Sequence, residues 1–327
     1  RRSSDLYFYG VFDPNDMRRD VSITMTGSNG KGVEKLIPFV PNSKAEGGGL
    51  TLNKWDENRQ ANPWVAAQRK SGINGPYMRM SEVYLGYAEV CAALGDVVTG
   101  KQYLKTVRER SFPQGLANTD AFIASFGNDL VRAIIEERGF EYAGEGDRRW
   151  TLIRSGYLPE DIKRIKDMTK AMMDGLATKG YYEFENGNII SAYIWTKLVD
   201  AKTIYGHRLT AQCPTDKVND PVLYPGWRGQ KDNWEEMGLN YGSSTPATNL
   251  AIKGLFEIVS EEEAASLESQ GYAKVNWGID LVDYRDEYDK YLFWDYDYVS
   301  APIYLWPFTP NVMAAGGFTN GYGFKQE

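Results

Sequence analysis

The sequence predicts a mainly α-helical fold, in which a helical scaffold carries long irregular loops and a few short strands. Apolar residues recur at spacings of three and four over residues 77–95 and 120–140, and a shorter helix is predicted between them at residues 101–110. Stretches rich in Gly, Pro and Asn interrupt these patterns. The chain of 327 residues can bury a substantial core, and we expect a single domain over residues 1–327.

The N-terminal 75 residues are predicted to be irregular, except for a short strand over residues 21–27 where apolar and polar residues alternate. In the first helix, Gly95-Asp96 marks the end. The apolar stripe predicted to face the core of this helix consists of Met80, Val83, Tyr84, Tyr87, Cys91 and Leu94. The second helix stops before Pro113.

The helix pair at about residues 77–113 fits one tetratricopeptide-type repeat, in which small residues let two helices approach closely. The matching positions are Tyr84, Ala88, Gly95, Gly100, Leu104 and Val107. No second copy follows downstream, although repeat units need neighbours to bury their faces. We therefore expect this chain to be the later part of a longer protein, which also fits the missing initial Met, signal peptide and lipid-attachment cysteine.

The third helix is predicted over residues 120–140, with a stripe formed by Ile123, Phe126, Leu130, Ile134 and Ile135. Residues 155–300 form a variable, loop-rich region in this prediction. It contains a helix-like stretch at residues 161–180, weakened by Gly175, and a hairpin with a turn at Asn186-Gly187. The C-terminal stretch over residues 304–324 is predicted to be irregular.

Composition excludes several classes of function. A net charge of −7 without clustered lysines or arginines argues against a nucleic-acid partner. One histidine, His207, cannot supply a histidine-based zinc site, and no cofactor is indicated. Cys91 and Cys213 lie far apart, and Cys91 is predicted to be a small buried apolar residue. The 22 Tyr and 9 Trp suit stacking on sugars, although loop-rich folds of other functions also contain them.

Residues 134–154 combine acids and arginines around a short apolar pattern and a Gly-x-Gly turn. Paired acids can perform acid–base catalysis in glycosidases. However, interleaved arginines form ion pairs, which lower the pKa of a carboxyl group and remove the proton that such catalysis needs. We therefore favour an ion-pair lattice between two helices. The acidic stretch at residues 283–298 could hold calcium through Asp286, Asp295 or Asp297, but a solvated acidic face is the favoured interpretation.

Four motifs in order resemble the SusD/RagB family of surface glycan-binding lipoproteins from Bacteroidetes-type outer membranes. The signature motif comprises Glu137, Arg138, Glu141, Glu145, Gly146, Arg148, Arg149, Trp150, Leu152 and Arg154. The other three are the Asp16, Arg18 and Arg19 turn, a preceding helix with Arg79, Glu82, Tyr84, Leu85, Ala88 and Glu89, and a closing segment with residues 305–308 and 320–322. Two departures are Thr151, where the family often has Asp, and a closing motif without its second proline.

The resemblance implies a mostly helical fold with a tetratricopeptide-like frame and irregular loops that carry the glycan site. It also implies that the protein captures oligosaccharide or polysaccharide without chemistry and passes it to a SusC-like TonB-dependent outer-membrane transporter. A lipid, absent from this chain, would anchor the protein at the cell surface. The chain would be the C-terminal portion of such a protein.

Candidate sugar-contacting residues are aromatics that share a loop with hydrogen-bonding groups. They are Trp55, Trp64, Tyr181, Tyr182, Trp227 and Trp234. Ordinary packing is the alternative for each. Trp150, Trp195, Trp277 and Trp306 are predicted to belong to the core or scaffold.

Two other functions compete with glycan capture. A carbohydrate-active enzyme on a helical scaffold would use two carboxylates as acid and base, and it would release new reducing ends from a polysaccharide. A tetratricopeptide-type interaction module would bind peptide rather than sugar, which calorimetry distinguishes.

Overall fold

Helices dominate the computed structural model, which describes residues 2–28, 34–37, 39, 49–52, 54–55, 75–200, 248–283, 304 and 309–317. The helices are α1 Arg2–Gly10, α2 Arg18–Ser22, α3 Met80–Ala93, α4 Val97–Glu109, α5 Thr119–Ala124, α6 Leu130–Glu141, α7 Asp147–Ser155, α8 Leu158–Lys179, α9 Glu261–Ser269, α10 Gly278–Asp283 and α11 Pro310–Gly316. The predicted mainly α-helical class is confirmed.

The strands are short and antiparallel. They are β1 Ile23–Thr24, β2 Thr26–Ser28, β3 Glu34–Leu36, β4 Thr51–Leu52, β5 Tyr181–Glu183, β6 Ile189–Ser191, β7 Tyr193–Asp200, β8 Thr248–Lys253 and β9 Ala273–Asn276. Three pairs form two-stranded sheets (β1–β4, β2–β3 and β5–β6), and one three-stranded sheet has the order β8-β7-β9. The strand predicted over residues 21–27 is replaced by the end of α2 and the two strands β1 and β2.

Helices α3 and α4 form the predicted antiparallel pair. Helix α4 begins four residues earlier than predicted, because the Asp96 side chain accepts a hydrogen bond from the Thr99 amide and caps the helix. At the crossing, Gly100 lies so close to α3 that an added Cβ atom would be 3.0 Å from the Ala88 carbonyl oxygen. A small residue is therefore required where the two helices touch.

The predicted core stripe of α3 is wrong for four of its six residues. Met80, Val83, Tyr87 and Leu94 are each at least half exposed. The face that packs against α4 and α6 carries Ser81, Leu85, Ala88 and Cys91, which are all buried. Both faces of α3 are rich in apolar residues, so periodicity alone does not distinguish them, whereas the small Ala88 selects the face that can approach Gly100.

The region predicted as one helix over residues 120–140 contains two. Gly127 and Asn128 adopt left-handed backbone angles, with φ of 65° and 64°, which ends α5 and separates it from α6. The Asp129 side chain then accepts a hydrogen bond from the Arg132 amide and caps α6. The predicted stripe is otherwise correct, since Ile123, Leu130, Ile134 and Ile135 are buried.

Helix α8 is continuous through Gly175, which was predicted to weaken it. A Cβ atom at this position would lie 2.9 Å from the Tyr182 ring and 3.1 Å from the Tyr181 carbonyl oxygen. The glycine therefore lets strand β5 lie against the helix. The predicted hairpin is confirmed: β5 pairs with β6, and Gly187 adopts a left-handed φ of 81° in the turn.

Helix α6 lies where the buried clusters of the described residues meet. Ile134 belongs to the α3–α4–α6 cluster, Ile135 to a small cluster with Leu152 of α7 and Leu158 of α8, and Phe140 packs against the largest cluster. That largest cluster contains Leu6 and Tyr9 of α1, Met172, Met173 and Leu176 of α8, and Ile194, Leu250 and Ile252 of the three-stranded sheet. The position of α6 therefore determines how the three buried clusters are arranged around it.

Two further findings concern the described chain. The C-terminal segment predicted to be irregular includes helix α11, which starts with Pro310 in its first turn. None of the helices in the described ranges combines the length and the apolar character needed to span a bilayer.

Two helix-interior glycines allow a direct test of the α3–α4 contact. Gly100→Val should lower the free energy of unfolding by about 1–3 kcal/mol, because its side chain enters the backbone of α3. Gly86→Ala is the matched control: a Cβ atom there meets nothing within 4 Å, so the substitution should stabilise α3 by about 0.5–1 kcal/mol. Urea unfolding followed by circular dichroism measures both. A similar change in both variants would contradict the proposed role of Gly100.

Candidate functional site

The signature segment forms an ionic network that starts at Glu137, a fully buried residue of α6. Its carboxylate accepts two charged hydrogen bonds, from Arg18 Nη1 at 2.6 Å and from Arg108 Nη1 at 2.6 Å. Arg108 also donates to the Ala117 carbonyl oxygen. A single carboxylate thus connects α2, α4 and α6, which are distant in sequence.

One helical turn further, the buried Glu141 carboxylate collects three arginines. Arg18 Nη1 donates to it at 2.9 Å, and Arg110 Nη2 donates to its two oxygens at 2.6 Å and 2.7 Å. Arg79 Nη1 also donates to it. Glu137 and Glu141 share Arg18, so the two acids form one network.

Asp16 fixes the plane of the Arg18 guanidinium. Its carboxylate accepts from Arg18 Nε at 2.9 Å and Nη2 at 2.6 Å, and also from the Arg18 amide at 3.0 Å. The adjacent Arg19 is buried as well, with its guanidinium 4.3 Å from the centre of the Phe256 ring. The Asp-x-Arg turn identified in the sequence therefore presents Arg18 to α6.

Arg79 joins the start of α3 to the end of α6. Its Nε and Nη2 atoms donate to Glu145 at 3.0 Å and 2.8 Å, and Nη2 also donates to the Glu141 carbonyl oxygen at 2.6 Å. Lys54 reaches the same carbonyl oxygen at 2.6 Å and pairs with Glu145. Glu145 therefore holds two cations from separate segments.

The turn between α6 and α7 is closed by Arg138. Its guanidinium donates to Asp147 at 2.5 Å and 3.2 Å and to the Thr151 hydroxyl at 3.2 Å. The Thr151 hydroxyl in turn donates to Asp147 at 2.9 Å. This buried threonine, which is one of the two departures from the SusD/RagB pattern, therefore belongs to the same hydrogen-bonded turn. Gly146 adopts a φ of 85°, which a side chain would strain.

A second ionic cluster joins α6, α7 and α8 around the fully buried Asp161. Arg148 donates to Asp161 at 2.5 Å and to both oxygens of Glu136 at 2.9 Å. Arg132 and Arg164 donate to Asp161 at 2.6 Å and 2.9 Å. Three arginines thus neutralise a carboxylate that burial alone would make unstable.

These contacts keep the acids ionised. Burial raises the pKa of Glu141, but Arg18, Arg110 and Arg79 outweigh it and bring that pKa down to about 2. Burial also raises the pKa values of Glu145 and Asp161, but Arg79 and Lys54 lower that of Glu145, and Arg148, Arg164 and Arg132 lower that of Asp161, so both are below their ordinary values. A carboxyl group that donates a proton to a glycosidic oxygen needs a raised pKa, so the favoured ion-pair interpretation of these acids is supported.

The remaining signature residues lie at the edges of the network. Arg149 donates to the Tyr304 carbonyl oxygen at 3.0 Å, Arg154 pairs with Glu89 of α3, and Glu82 lies 3.8 Å from Arg138. Of the tryptophans predicted to belong to the core or scaffold, Trp195 and Trp277 are buried, whereas Trp150 lies on helix α7 with its side chain 61% exposed. Trp306 lies outside the described residues.

The structure places three of the six candidate sugar-contacting aromatics. Trp55 is 37% exposed and follows Lys54, which the network holds. Tyr181 and Tyr182 lie on β5, where Tyr182 packs against Phe184 with ring centres 4.9 Å apart and belongs to the margin of the largest core cluster. Burial raises the pKa of the Tyr182 hydroxyl, and the negative charge of Glu185 raises it further. Trp64, Trp227 and Trp234 lie outside the described residues.

Other predicted sites have separate outcomes. Cys91 is a buried free thiol, as predicted. Asp286, Asp295, Asp297, His207 and Cys213 lie outside the described residues. Within the ranges that the structure describes, there is no group of three or more acidic, histidine or cysteine side chains suited to a metal ion.

Similarity to known proteins identifies the family of the chain. A family model described as the SusD family matches residues 7–310. The chain belongs to the SusD family. Its relatives include a SusD-like protein P25 from Formosa agariphila (strain DSM 15362 / KCTC 12365 / LMG 23005 / KMM 3901 / M-2Alg 35-1), which is 28% identical over 160 residues. That match covers 49% of this chain and 26% of the relative. No solved structure matches.

Within this SusD-family chain, sequence reasoning missed several network residues. Arg108, Arg110, Arg132, Asp161 and Arg164 lie outside the motif segments, and Lys54 was not singled out in the sequence. One signal was present: Arg108 and Arg110 end a predicted helix that the small residues place against α3. The pairing partner of each arginine is a long-range property that spacing does not reveal.

The network predicts a large effect for one buried acid. Glu137→Gln should lower the free energy of unfolding by about 3–5 kcal/mol, because Arg18 and Arg108 lose their shared counter-charge in a buried site. Asp167→Asn is the control, since the Lys163–Asp167 pair on α8 is exposed and should contribute less than about 0.5 kcal/mol. Chemical unfolding of both variants measures the difference. Equal losses would contradict the network's role in the SusD scaffold.

The lowered pKa of Glu141 predicts a specific acid sensitivity. Its pKa falls from an ordinary 4.5 to about 2 on folding, so the stabilisation is complete above pH 4.5 and is lost as the pH falls towards 2. The loss should amount to roughly 3 kcal/mol. The difference in unfolding free energy between the wild type and Glu141→Gln, measured by urea unfolding at several pH values, should shrink across this window. A difference that is independent of pH would contradict the assignment.

Proposed function

We propose that this chain captures oligosaccharide or polysaccharide at the bacterial cell surface, without cleaving it, and delivers it to a SusC-like TonB-dependent outer-membrane transporter. In this proposal the protein is an outer-membrane lipoprotein of the Bacteroidetes type. The match of the SusD family model over residues 7–310 carries the proposal, because glycan binding in polysaccharide utilisation is the general role of the family.

The chemistry of the buried acids supports binding rather than catalysis. Glycoside hydrolysis needs two carboxyl groups that flank a sugar, one of them protonated. Glu137, Glu141 and Asp161 are instead buried against arginines, where they cannot flank a sugar, and the lowered pKa values of Glu141 and Asp161 disfavour the protonated form in those two groups. The buried charges of these residues therefore serve to hold helices together.

The proposed sugar contact begins at Trp55. Its indole is partly exposed, and the preceding Lys54 is held by Glu145 and by the Glu141 carbonyl oxygen. A ring on an anchored segment loses little conformational entropy when a sugar stacks on it, which favours binding. Tyr181 is a second candidate on β5, whereas Tyr182 is more strongly engaged in packing. Trp64, Trp227 and Trp234 complete the proposed set.

Trp55→Ala should weaken oligosaccharide binding roughly tenfold, because an aromatic stacking contact contributes on the order of 1 kcal/mol or more. Trp150→Ala is the matched control: it removes an equally large, exposed indole from helix α7 of the scaffold. Isothermal titration calorimetry with a panel of neutral and acidic oligosaccharides measures both affinities. Loss of binding in Trp150→Ala with none in Trp55→Ala would overturn the site assignment.

Absence of cleavage is tested separately by incubating the protein with the polysaccharides that it binds and measuring reducing ends. We expect no increase over buffer. If reducing ends appear, Asp280 of α10 is the first group to substitute, because burial and the neighbouring Asp283 raise its pKa. Loss of the activity in Asp280→Asn would support an enzyme and overturn the binding-only proposal.

A further inference from the structure

One face of the three-stranded sheet is turned away from the largest buried cluster, which takes its buried sheet residues from the other face. Side chains alternate between the two faces of a strand, and directly paired residues share a face. Trp195 of β7 pairs with Lys253 of β8 on one side and with Lys274 of β9 on the other. The next pair on the same face joins Tyr193 to Asn276. We refer to these five outward residues as the lysine face.

Aromatic rings, rather than acids, contact the positive charge of the lysine face. The Lys274 ammonium lies 4.2 Å from the centre of the Tyr193 ring and 5.7 Å from the centre of the Trp195 ring. Among the residues that the structure describes, neither Lys274 nor Lys253 pairs with a carboxylate. Because aromatic rings have no net charge, both ammonium groups keep their charge available to an anion.

The acids of the connection between β8 and β9 leave the two lysines unpaired. They are Glu257, Glu261, Glu262, Glu263 and Glu268. Glu257 accepts a hydrogen bond from the Gly254 amide at 3.1 Å, and Glu263 accepts from the Ser260 amide at the start of α9. The three strands contain three lysines and one acid, whereas the whole chain has 44 acids and 37 basic residues. The sheet is therefore a place where an anion meets less repulsion than the charge of the whole chain would suggest.

The polar atoms of the lysine face are mainly hydrogen-bond donors. The ammonium groups of Lys253 and Lys274 can only donate, and so can the indole nitrogen of Trp195. Trp195 is buried, and its Nε1 atom has no acceptor. Lys274 and Asn276 are exposed, so the face is open to a ligand on this side. Donors in excess are complementary to a ligand that is rich in acceptor oxygens and carries negative charge.

We propose that the lysine face binds the anionic groups of an acidic polysaccharide, in which carboxylate or sulfate groups are attached to the sugar rings. This inference rests on the proposed function, to which it adds the class of glycan and a second area of contact. Paired strands are about 4.8 Å apart, so the backbones of Lys253 and Lys274 are about 10 Å apart, and the two long side chains can converge on one anionic group. Asn276 can bind a neighbouring sugar hydroxyl.

Isothermal titration calorimetry with polygalacturonate, dextran sulfate and neutral dextran tests the lysine face. We expect wild type to bind an anionic probe, and Lys253→Gln/Lys274→Gln to bind it roughly tenfold more weakly, because two charged hydrogen bonds are lost. The control Lys105→Gln/Lys163→Gln removes the same charge from exposed positions on α4 and α8 and should keep the affinity. An equal loss in the control would overturn the proposal. The anionic probe that binds more tightly distinguishes carboxylate from sulfate.

A variant that keeps the charge separates recognition from folding. Lys253→Arg/Lys274→Arg should bind the anionic probe like the wild type, and all variants should keep the thermal midpoint of the wild type, since neither lysine has an ion pair to lose. Raising NaCl from about 50 to 500 mM should weaken binding of the anionic probe by screening. Binding that is insensitive to both salt and the glutamine variant would contradict the lysine face.

The outcomes also separate this inference from the proposed function. Binding of neutral oligosaccharides without any affinity for polygalacturonate or dextran sulfate would overturn the lysine face and leave glycan capture intact. Lysine-dependent binding to phosphatidylglycerol vesicles, with neither anionic polysaccharide bound, would overturn it in favour of a lipid surface. Absence of binding to every glycan would contradict the proposed function and, with it, this inference.

Discussion

The burial of two ionised carboxylates one turn apart on α6 is the constraint on which the described structure depends. An isolated carboxylate in a protein interior is costly, and Glu137 and Glu141 become tolerable only because arginines and their hydrogen bonds surround them. Those arginines come from α2, from the segment before α3 and from the end of α4. A displacement of any of these elements leaves charge unpaired, so the network is selective for one arrangement of the helices.

Apolar packing supplies the bulk of the stabilisation, and the ionic network determines its geometry. Helix α6 contributes Ile134, Ile135 and Phe140 to three different clusters. Apolar contacts alone would allow these clusters to slide or rotate against one another. Charged hydrogen bonds at 2.6 Å tolerate much less movement. The Asp161 cluster holds α6, α7 and α8 together in the same way. Charged hydrogen bonds therefore fix α6 on both of its sides.

Much of the helical frame could be predicted from the sequence, because helix periodicity and turn residues are local. The α3–α4 pair, α6, the continuous part of α8 and the β5–β6 hairpin all have such local signals.

The errors have physical causes. The inward face of α3 is selected by the contact between Ala88 and Gly100, and Gly175 is required by β5, which packs against it from outside the helix. In the candidate site, the arginines of the motif were predicted to form ion pairs, but the Arg18 contact with Glu137 joins residues 119 positions apart, and no local pattern contains it.

The exposure of aromatic residues was less predictable still, because the same residue type serves packing and recognition. Trp150 is part of the motif and yet exposed, whereas Trp195 and Trp277 are buried.

The position of Trp55 links the ionic scaffold to the proposed glycan contact. Lys54 connects its segment to Glu145 and to the last turn of α6, so the placement of this ring depends on the same network that orders the helices. We therefore expect a substitution that removes the charge of Glu145 to displace the Trp55 ring by releasing Lys54. Under the proposed function, the scaffold and the Trp55 glycan contact are therefore coupled through Lys54, and the ionic motif contributes to binding by fixing the position of the ring.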